Sequence, residues 1–501
     1  MKGRSTSTVA LCAFVLCGCG ALVEAEAPGK QAAEAAAPGK QAAEKIPITT
    51  SSAQAKALYL EGRDLADKLR FTDAHRRYEK AVATDQNFAL ARLGVAITSA
   101  NGKEVFDELA KAVALADKVS EGERLLIRAA DAAERGDPAQ QKAFIVELTK
   151  LHPNDERAHH QLGVHYFNVQ NWAAAVAAFE KAVRVNPGFS PSYNLLGYAY
   201  RFLEAYPKAE ETFKKYIQLI PDDPNPYDSY AELLMKMGRF DESIANYEKA
   251  LKLDRNFVAS YVGIGNNQTF MGRGAEARKT YARLAGVARN AEEKRRALFW
   301  TASSYIHEGA TDEAIAEVEK MLAIALEGGD FGAAGGDHNL IGNILLEAGK
   351  PDEAAARFRK QLETVERATL PADVKEQARR NGLFDDARVA LAKNDLATAK
   401  VRAQEYAGKV SARKVPFEVW QSHEIAGYIA LAEKKFTIAV AELRKANEQD
   451  PRVLYYLAVA LRASGNSAEA AEVAGKAAKF NGLGETYAFV RRKAMDMAAK
   501  G

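Results

Sequence analysis

Thiols are almost missing from this chain: three of its 501 residues are cysteine, and all three, Cys12, Cys17 and Cys19, fall in the first nineteen positions. Everything after Gly20 is therefore without disulfide staples, cysteine metal sites or cysteine nucleophiles, a composition that suits an oxidising compartment. An excess of one charge is missing too. The formal charge is +3, and removing Lys2 and Arg4, which sit in a segment expected to be cleaved, leaves 67 basic against 66 acidic residues. A chain this close to neutral gives no support to nucleic-acid binding, which needs a basic stripe to neutralise phosphates, so no nucleic acid is expected as a partner. No Gly-x-Ser-x-Gly elbow, His-Glu-x-x-His run or strand-borne nucleotide fingerprint occurs. The glycine-rich run from Gly328 to Asp337 lacks the Gly-Lys-Ser/Thr ending of a phosphate loop, and reads as an insertion between repeats. Catalytic residues, a metal and a cofactor are accordingly all expected to be absent.

What is present is helix-forming sequence with few interruptions. Ala, Glu, Lys and Leu are abundant, prolines number 15, and apolar residues recur with the 3.6 period, which together predict an all-α chain. Within it, one 34-residue pattern runs four times from Glu156 to Arg289 without losing phase. Small residues fall at Gly163, Gly197, Ala231 and Gly265, and again at Ala175, Ala209, Ser243 and Ala277. Aromatics fall at Phe179, Phe213, Tyr247 and Tyr281, and prolines end two units at Pro187 and Pro221. Small positions keep the crossing of two helices thin while the aromatics fill the space around it. One such helix pair cannot bury its apolar face alone, so a neighbour must cover it.

These columns resemble the tetratricopeptide repeat, a helix-turn-helix unit of 34 residues. The resemblance implies an all-α, right-handed superhelical solenoid of about 10–12 units. Matching positions extend it from Ala55 to Asn481. It divides into an N-terminal array at 53–290, with the regular repeats at 156–289, and a looser C-terminal array at 291–482. A capping helix at 483–501, its outer face toward solvent, would close it.

The N-terminal segment reads as an export signal. Residues 1–18 have a basic start and an apolar run from Val9 to Cys17, too short to span a bilayer. They lead into Leu16-Cys17-Gly18-Cys19, which resembles the bacterial lipoprotein box with Cys19 as the lipidated residue. The alternative is cleavage after Val23-Glu24-Ala25 to give a soluble periplasmic protein. Gly20 after the cysteine implies the outer membrane, on its periplasmic face. Residues 19–52 contain the duplicated Ala-Pro-Gly-Lys-Gln-Ala-Ala-Glu at 27–34 and 37–44, almost without large apolar side chains, and are expected to form a disordered tether.

Eight histidines are present, with His159, His160 and His165 close together. His159 falls in the packing column of Tyr193, Tyr227 and Tyr261, and five residues separate His160 from His165 where four would put two ligands on one helical face, so no metal site is expected. The resemblance implies a protein-binding scaffold with a concave groove lined by His160, Phe167, Asn168, Asn194, Tyr198, Arg201, Asp228, Glu232, Asn266 and Phe270. Side-chain amides such as Asn194, which both donate and accept, suit the backbone of an extended peptide, and the aromatics suit apolar anchoring. The expected partners are a protein or peptide in the groove and a membrane through the lipid anchor, with no small-molecule substrate. A second reading makes the groove the cleft of an envelope enzyme or carbohydrate-binding protein. A cytoplasmic co-chaperone is disfavoured, because the family's clamp for a C-terminal carboxylate is replaced here by His160, Val164, Leu195, Asn225 and Ser229.

Overall fold

The 3.6-residue periodicity emerges as twenty-five α-helices among the described residues of a computed structural model, which describes 45–499 except 100, 101, 369, 371, 412 and 414. The signal segment, Cys19 and the tether before Lys45 lie outside the described residues. The chain divides into two compact units between Ser229 and Tyr230. The first unit contains α1 (Ala53–Asp67), α2 (Phe71–Thr84), α3 (Ala89–Thr98), α4 (Gly102–Leu115), α5 (Glu121–Glu134), α6 (Pro138–Leu151), α7 (Glu156–Asn168), α8 (Trp172–Val185), α9 (Ser190–Phe202) and α10 (Tyr206–Leu219), and the division falls inside α11 (Pro224–Lys236). The second contains α12 (Phe240–Leu253), α13 (Val258–Phe270), α14 (Gly274–Val287), α15 (Ala291–Glu308), α16 (Thr311–Glu327), α17 (Phe331–Glu347), α18 (Pro351–Arg367), α19 (Ala372–Ala392), α20 (Leu396–Ser411), α21 (Pro416–Ala432), α22 (Phe436–Leu443), α23 (Pro451–Ala463), α24 (Ser467–Ala478) and α25 (Glu485–Ala499). Twelve helix pairs and a last helix make up the all-α solenoid of repeats.

Local chemistry sets the helix ends. Asp155 accepts from the Arg157 and Ala158 amides at the start of α7, and Ser120 with Glu123 forms a capping box on α5. Each fully described turn inside a pair holds one residue in the left-handed region: Gly136, Gly238, Gly272, Gly309, Gly349 and Gly465 where glycine is available, and Leu69, Gln170, Glu204, Asn394 and Lys434 where it is not. A side chain there costs roughly 1–2 kcal/mol relative to glycine's freedom.

The aromatic column fills the interior. Phe179, Phe213 and Tyr281 are fully or almost fully buried, each worth roughly 1.5–3 kcal/mol of apolar burial. Each faces the small residue of its own pair closely enough that a Cβ on Gly163, Gly197 or Gly265 would come within 2.4, 2.7 and 2.2 Å of the ring. At two other places in the column the ring meets the next pair: Tyr78 lies against both Gly62 and Gly94, and Tyr247 against Gly263. That double contact is how one unit covers its neighbour.

Three stretches differ from the sequence reading. The glycine-rich run is not an insertion: the turn uses Gly328, Gly329 and Asp330, and α17 then continues through Gly332, Gly335 and Gly336, with Gly335 giving room to Val365. The closing helix α25 does turn an outer face of Arg492, Lys493, Met495 and Asp496 to solvent, but it covers more than the last pair: Tyr487, Val490 and Ala494 are buried and the helix reaches back to Phe270, His307 and Glu347. Residues 45–52, expected as the end of the tether, lie extended along the first unit and are hydrogen-bonded to it. No described helix is long and apolar enough to cross a membrane.

Candidate interaction surfaces

Residues spaced by 34 along the first helix of each pair line one face, but side-by-side packing of those helices consumes much of it. In the first unit the His160 ring lies 2.9 Å from the Ser192 hydroxyl and packs on Phe179 and Phe189. Burial, and then the Arg157 guanidinium, press its pKa down to about 3, so the ring is neutral. Asn194 is buried and its amide oxygen accepts from the Ser229 hydroxyl at 3.0 Å. Tyr198 is buried against Phe213, with Arg201 over its ring at 5.0 Å. Asp228 is buried as well.

Phe167, Asn168 and Arg201 remain accessible, Asn168 most of all. They adjoin two aromatics that sequence reasoning missed: Trp172 and Phe202 stack at 4.2 Å, and Phe167 meets them edge-on at 5.0 and 5.8 Å. Arg201 caps Phe202 at 5.1 Å. The signal was in the sequence, since Phe202 occupies the position of Asn168 one repeat later, and Trp172 opens α8 beside it.

In the second unit the predicted residues are closed off. Glu232 is buried, and Asn266 is 2 % exposed with its amide donating to the Val262 carbonyl of its own helix. Phe270 is covered by the chain itself: Tyr487 and His307 pack on it at 5.4 and 5.6 Å, and Arg491 donates to its carbonyl. His307, half-buried under α25, is also pushed down to about 3 by desolvation and then by Arg491. Of the residues expected to line an open groove, Asn194, Tyr198, Asp228, Glu232, Asn266 and Phe270 are therefore buried. Asn194 is held by Ser229 of the next first helix, Asn266 by its own backbone and Phe270 by α25.

The polar residues of the looser repeats act between helices too. Asn339 donates to Gln361 and Asp385, each at 3.0 Å, and Arg388 donates to Asn343 and Asp385. Burial raises the Asp385 carboxyl to about 6 against the pull of Arg388 and Arg452. A carboxyl so perturbed is what a catalytic reading seeks, but both of its oxygens are engaged by Asn339 and Arg388. His159, His160 and His165 do not converge, each having its own partner in Pro153, Ser192 or Gln141. The described group whose atoms do converge is His75, Glu79 and Glu104, within 4.8 Å of one another. Thr98 donates to the Gly94 carbonyl and faces His75 Nδ1 at 3.1 Å, which turns Nε2 toward the two carboxylates. One nitrogen and two carboxylate oxygens are donors that suit a divalent ion.

Comparison with known proteins agrees with this architecture. Residues 160–224 and 264–330 match the family model described as tetratricopeptide repeat, and 231–268 match the one described as TPR repeat. The stretch from 160 to 330 is a run of tetratricopeptide repeats, units that generally mediate protein–protein interaction. Superkiller complex protein 3 of Mus musculus is 27% identical over 111 residues, which are 22% of this chain and 7% of that protein. Anaphase-promoting complex subunit 3 of Schizosaccharomyces pombe is 22% identical over 224 residues, 42% of this chain and 32% of that protein. The chain thus spans a third or less of the length of these relatives. Among solved structures, a tetratricopeptide repeat protein from Parabacteroides merdae covers 52% of this chain and 99% of its own, with 15% identity and a TM-score of 0.39. MamA covers 34% of this chain and 96% of its own, with 22% identity and a TM-score of 0.30.

Proposed function

We propose that this protein is a non-enzymatic interaction scaffold of the bacterial cell envelope, exported by its N-terminal signal, held to the periplasmic face of the outer membrane through lipid on Cys19, and binding a peptide or partner protein. The observation that carries the binding assignment is the half-exposed aromatic shelf of Phe167, Trp172 and Phe202, flanked by Asn168 and Arg201. Aromatic rings and arginine are the groups that dominate protein interfaces, and an exposed asparagine beside them suits a peptide backbone. The predicted groove thereby narrows to its accessible part in the first unit. Asp385 supports no enzymatic alternative, because its carboxylate is held between helices.

The test is a photo-crosslinking residue placed at Asn168 in cells, with a second at Lys181 on the exposed side of α8 as control. A discrete crosslinked species should form from Asn168 and not from Lys181. Adding Trp172→Ala and Arg201→Ala should reduce it at least tenfold while far-UV circular dichroism stays unchanged. Equal crosslinking from both positions overturns the assignment.

A further inference from the structure

A second surface of the first unit already holds an extended chain. Residues 45–50 alternate exposed and half-buried from Lys45 to Thr50, the period of an extended segment with one face on a support. The Ile46 amide donates to Asp155 Oδ2 at 2.8 Å, and the Thr49 amide and hydroxyl donate to the two oxygens of Glu123 at 2.7 and 2.5 Å. Thr50 donates to Asp85 at 2.5 Å, and Lys45 pairs with Glu156. Ile46 packs on the cluster of Leu125, Leu148 and Ala158, and Ile48 on that of Tyr59, Phe88 and Leu90.

The acceptors sit at successive inter-pair turns: Asp85 before α3, Glu123 at the start of α5, Asp155 capping α7. Three residues of extended chain span roughly 10 Å, close to the spacing of packed helices, so Ile46 and Thr49 fall in register with consecutive pairs. Pro47 lacks an N–H, faces outward and biases Ile46 toward the extended region, so little order is lost on docking. Glu123 takes two donors from the segment while also closing its own capping box, which fixes the carboxylate before any ligand arrives. On Asp85 the Thr50 hydrogen bond lowers the pKa; on Glu156 burial acts upward, but the bonds from Lys45, its own backbone amide and Asn186 together leave it lowered.

We propose that the ledge formed by Asp85, Glu123, Asp155 and Glu156 is a binding site for an extended segment of a partner protein carrying a cation, two β-branched residues two positions apart and a threonine, and that Lys45–Thr50 occupies it as a built-in competitor. Backbone amides meeting carboxylates give affinity to any extended chain, and the two apolar seats with the terminal carboxylates select this pattern. The cis segment competes at the effective concentration of a short tether, in the millimolar range. An outside ligand therefore gains access when the strap is pulled away or outcompeted. This surface is separate from the aromatic shelf and stands or falls independently of it.

The experiment uses the full-length chain and a labelled synthetic peptide corresponding to residues 43–52. Ile46→Asp with Ile48→Asp releases the strap, and fluorescence anisotropy should then show binding at least tenfold tighter than to the parent. Adding Glu123→Gln and Asp155→Asn should cost at least tenfold, and a peptide with both isoleucines replaced by aspartate should not bind. In the parent, hydrogen exchange at the Ile46 and Thr49 amides should be protected and should accelerate with excess peptide. Equal affinity for parent and released chain, or unprotected amides in the parent, overturns the proposal. So does a strap-exchanged dimer seen by light scattering, which would assign the ledge to a second copy.

Discussion

Gly197→Ala isolates the contact that sets the repeat geometry. A Cβ built on Gly197 lies 2.7 Å from both Cε1 and Cζ of Phe213, and 2.9 Å from Cδ1, where ordinary contact is 3.4–4 Å, so the ring must retreat by about 0.7 Å. It has nowhere to go, since Phe213 is wholly buried and meets Tyr198 edge-on at 5.2 Å. Overpacking of this kind costs about 1–3 kcal/mol, while replacing glycine inside a helix returns about 0.5–1 kcal/mol. The net expectation is a loss of up to about 2.5 kcal/mol, centred on about 1. Gly382→Ala is the control, because Gly382 lies within α19 with nothing within 4 Å of its would-be Cβ, and it should stabilise by about 0.5–1 kcal/mol. Phe213→Leu should relieve the clash, so the double variant should be at least about 1 kcal/mol more stable than the two single losses predict. Urea unfolding followed by circular dichroism, with hydrogen exchange to localise the change to α9 and α10, reads all four variants. Additivity within about 0.5 kcal/mol, or a stabilised Gly197→Ala, would show that helix crossing is not limited by this contact.

Three further outcomes follow from particular residues. His307, held down to about 3 by burial and then by Arg491, contributes stability that is present above its unfolded pKa near 6.5 and lost as pH falls toward 3; His307→Phe should flatten the urea stability of the protein between pH 6.5 and 4 by up to roughly 3 kcal/mol, and an unchanged pH slope refutes the half-buried neutral ring. Glu204 sits at φ 56 in the turn between α9 and α10, so Glu204→Gly should stabilise by about 0.5–1 kcal/mol in the same assay; a loss there would mean that its side chain holds the turn. Cys19→Ser should release the protein from membranes through a salt wash, since several acyl chains anchor firmly and one does not, and mass spectrometry of the parent should find lipid on Cys19; an unmodified N-terminus at Glu26 sinks that assignment.

Sequence by itself determined the repeat. Small and aromatic columns 34 residues apart follow from helix crossing, a short-range constraint that each unit must satisfy with its own residues and its neighbour's, so phase, helix type and the burial of Phe179, Phe213 and Tyr281 were legible in advance. Tertiary structure alone decided which face stayed open. Asn194 and Asn266 carry the side chains of a peptide groove, yet one bonds Ser229 on the first helix of the next pair and the other its own backbone, because adjacent first helices approach closely enough to exclude water, leaving such amides to pair across the contact or along their own helix. Two segments distant in sequence made the remaining choices: α25 covers Phe270 from more than two hundred residues away, and Ile46 and Thr49 reach carboxylates 109 and 74 positions along the chain. No local pattern encodes such contacts. The alternation of Ile46, Pro47, Ile48 and Thr49 announces an extended strand, but the support it lies on exists only once Asp85, Glu123 and Asp155 have been brought into line by stacking.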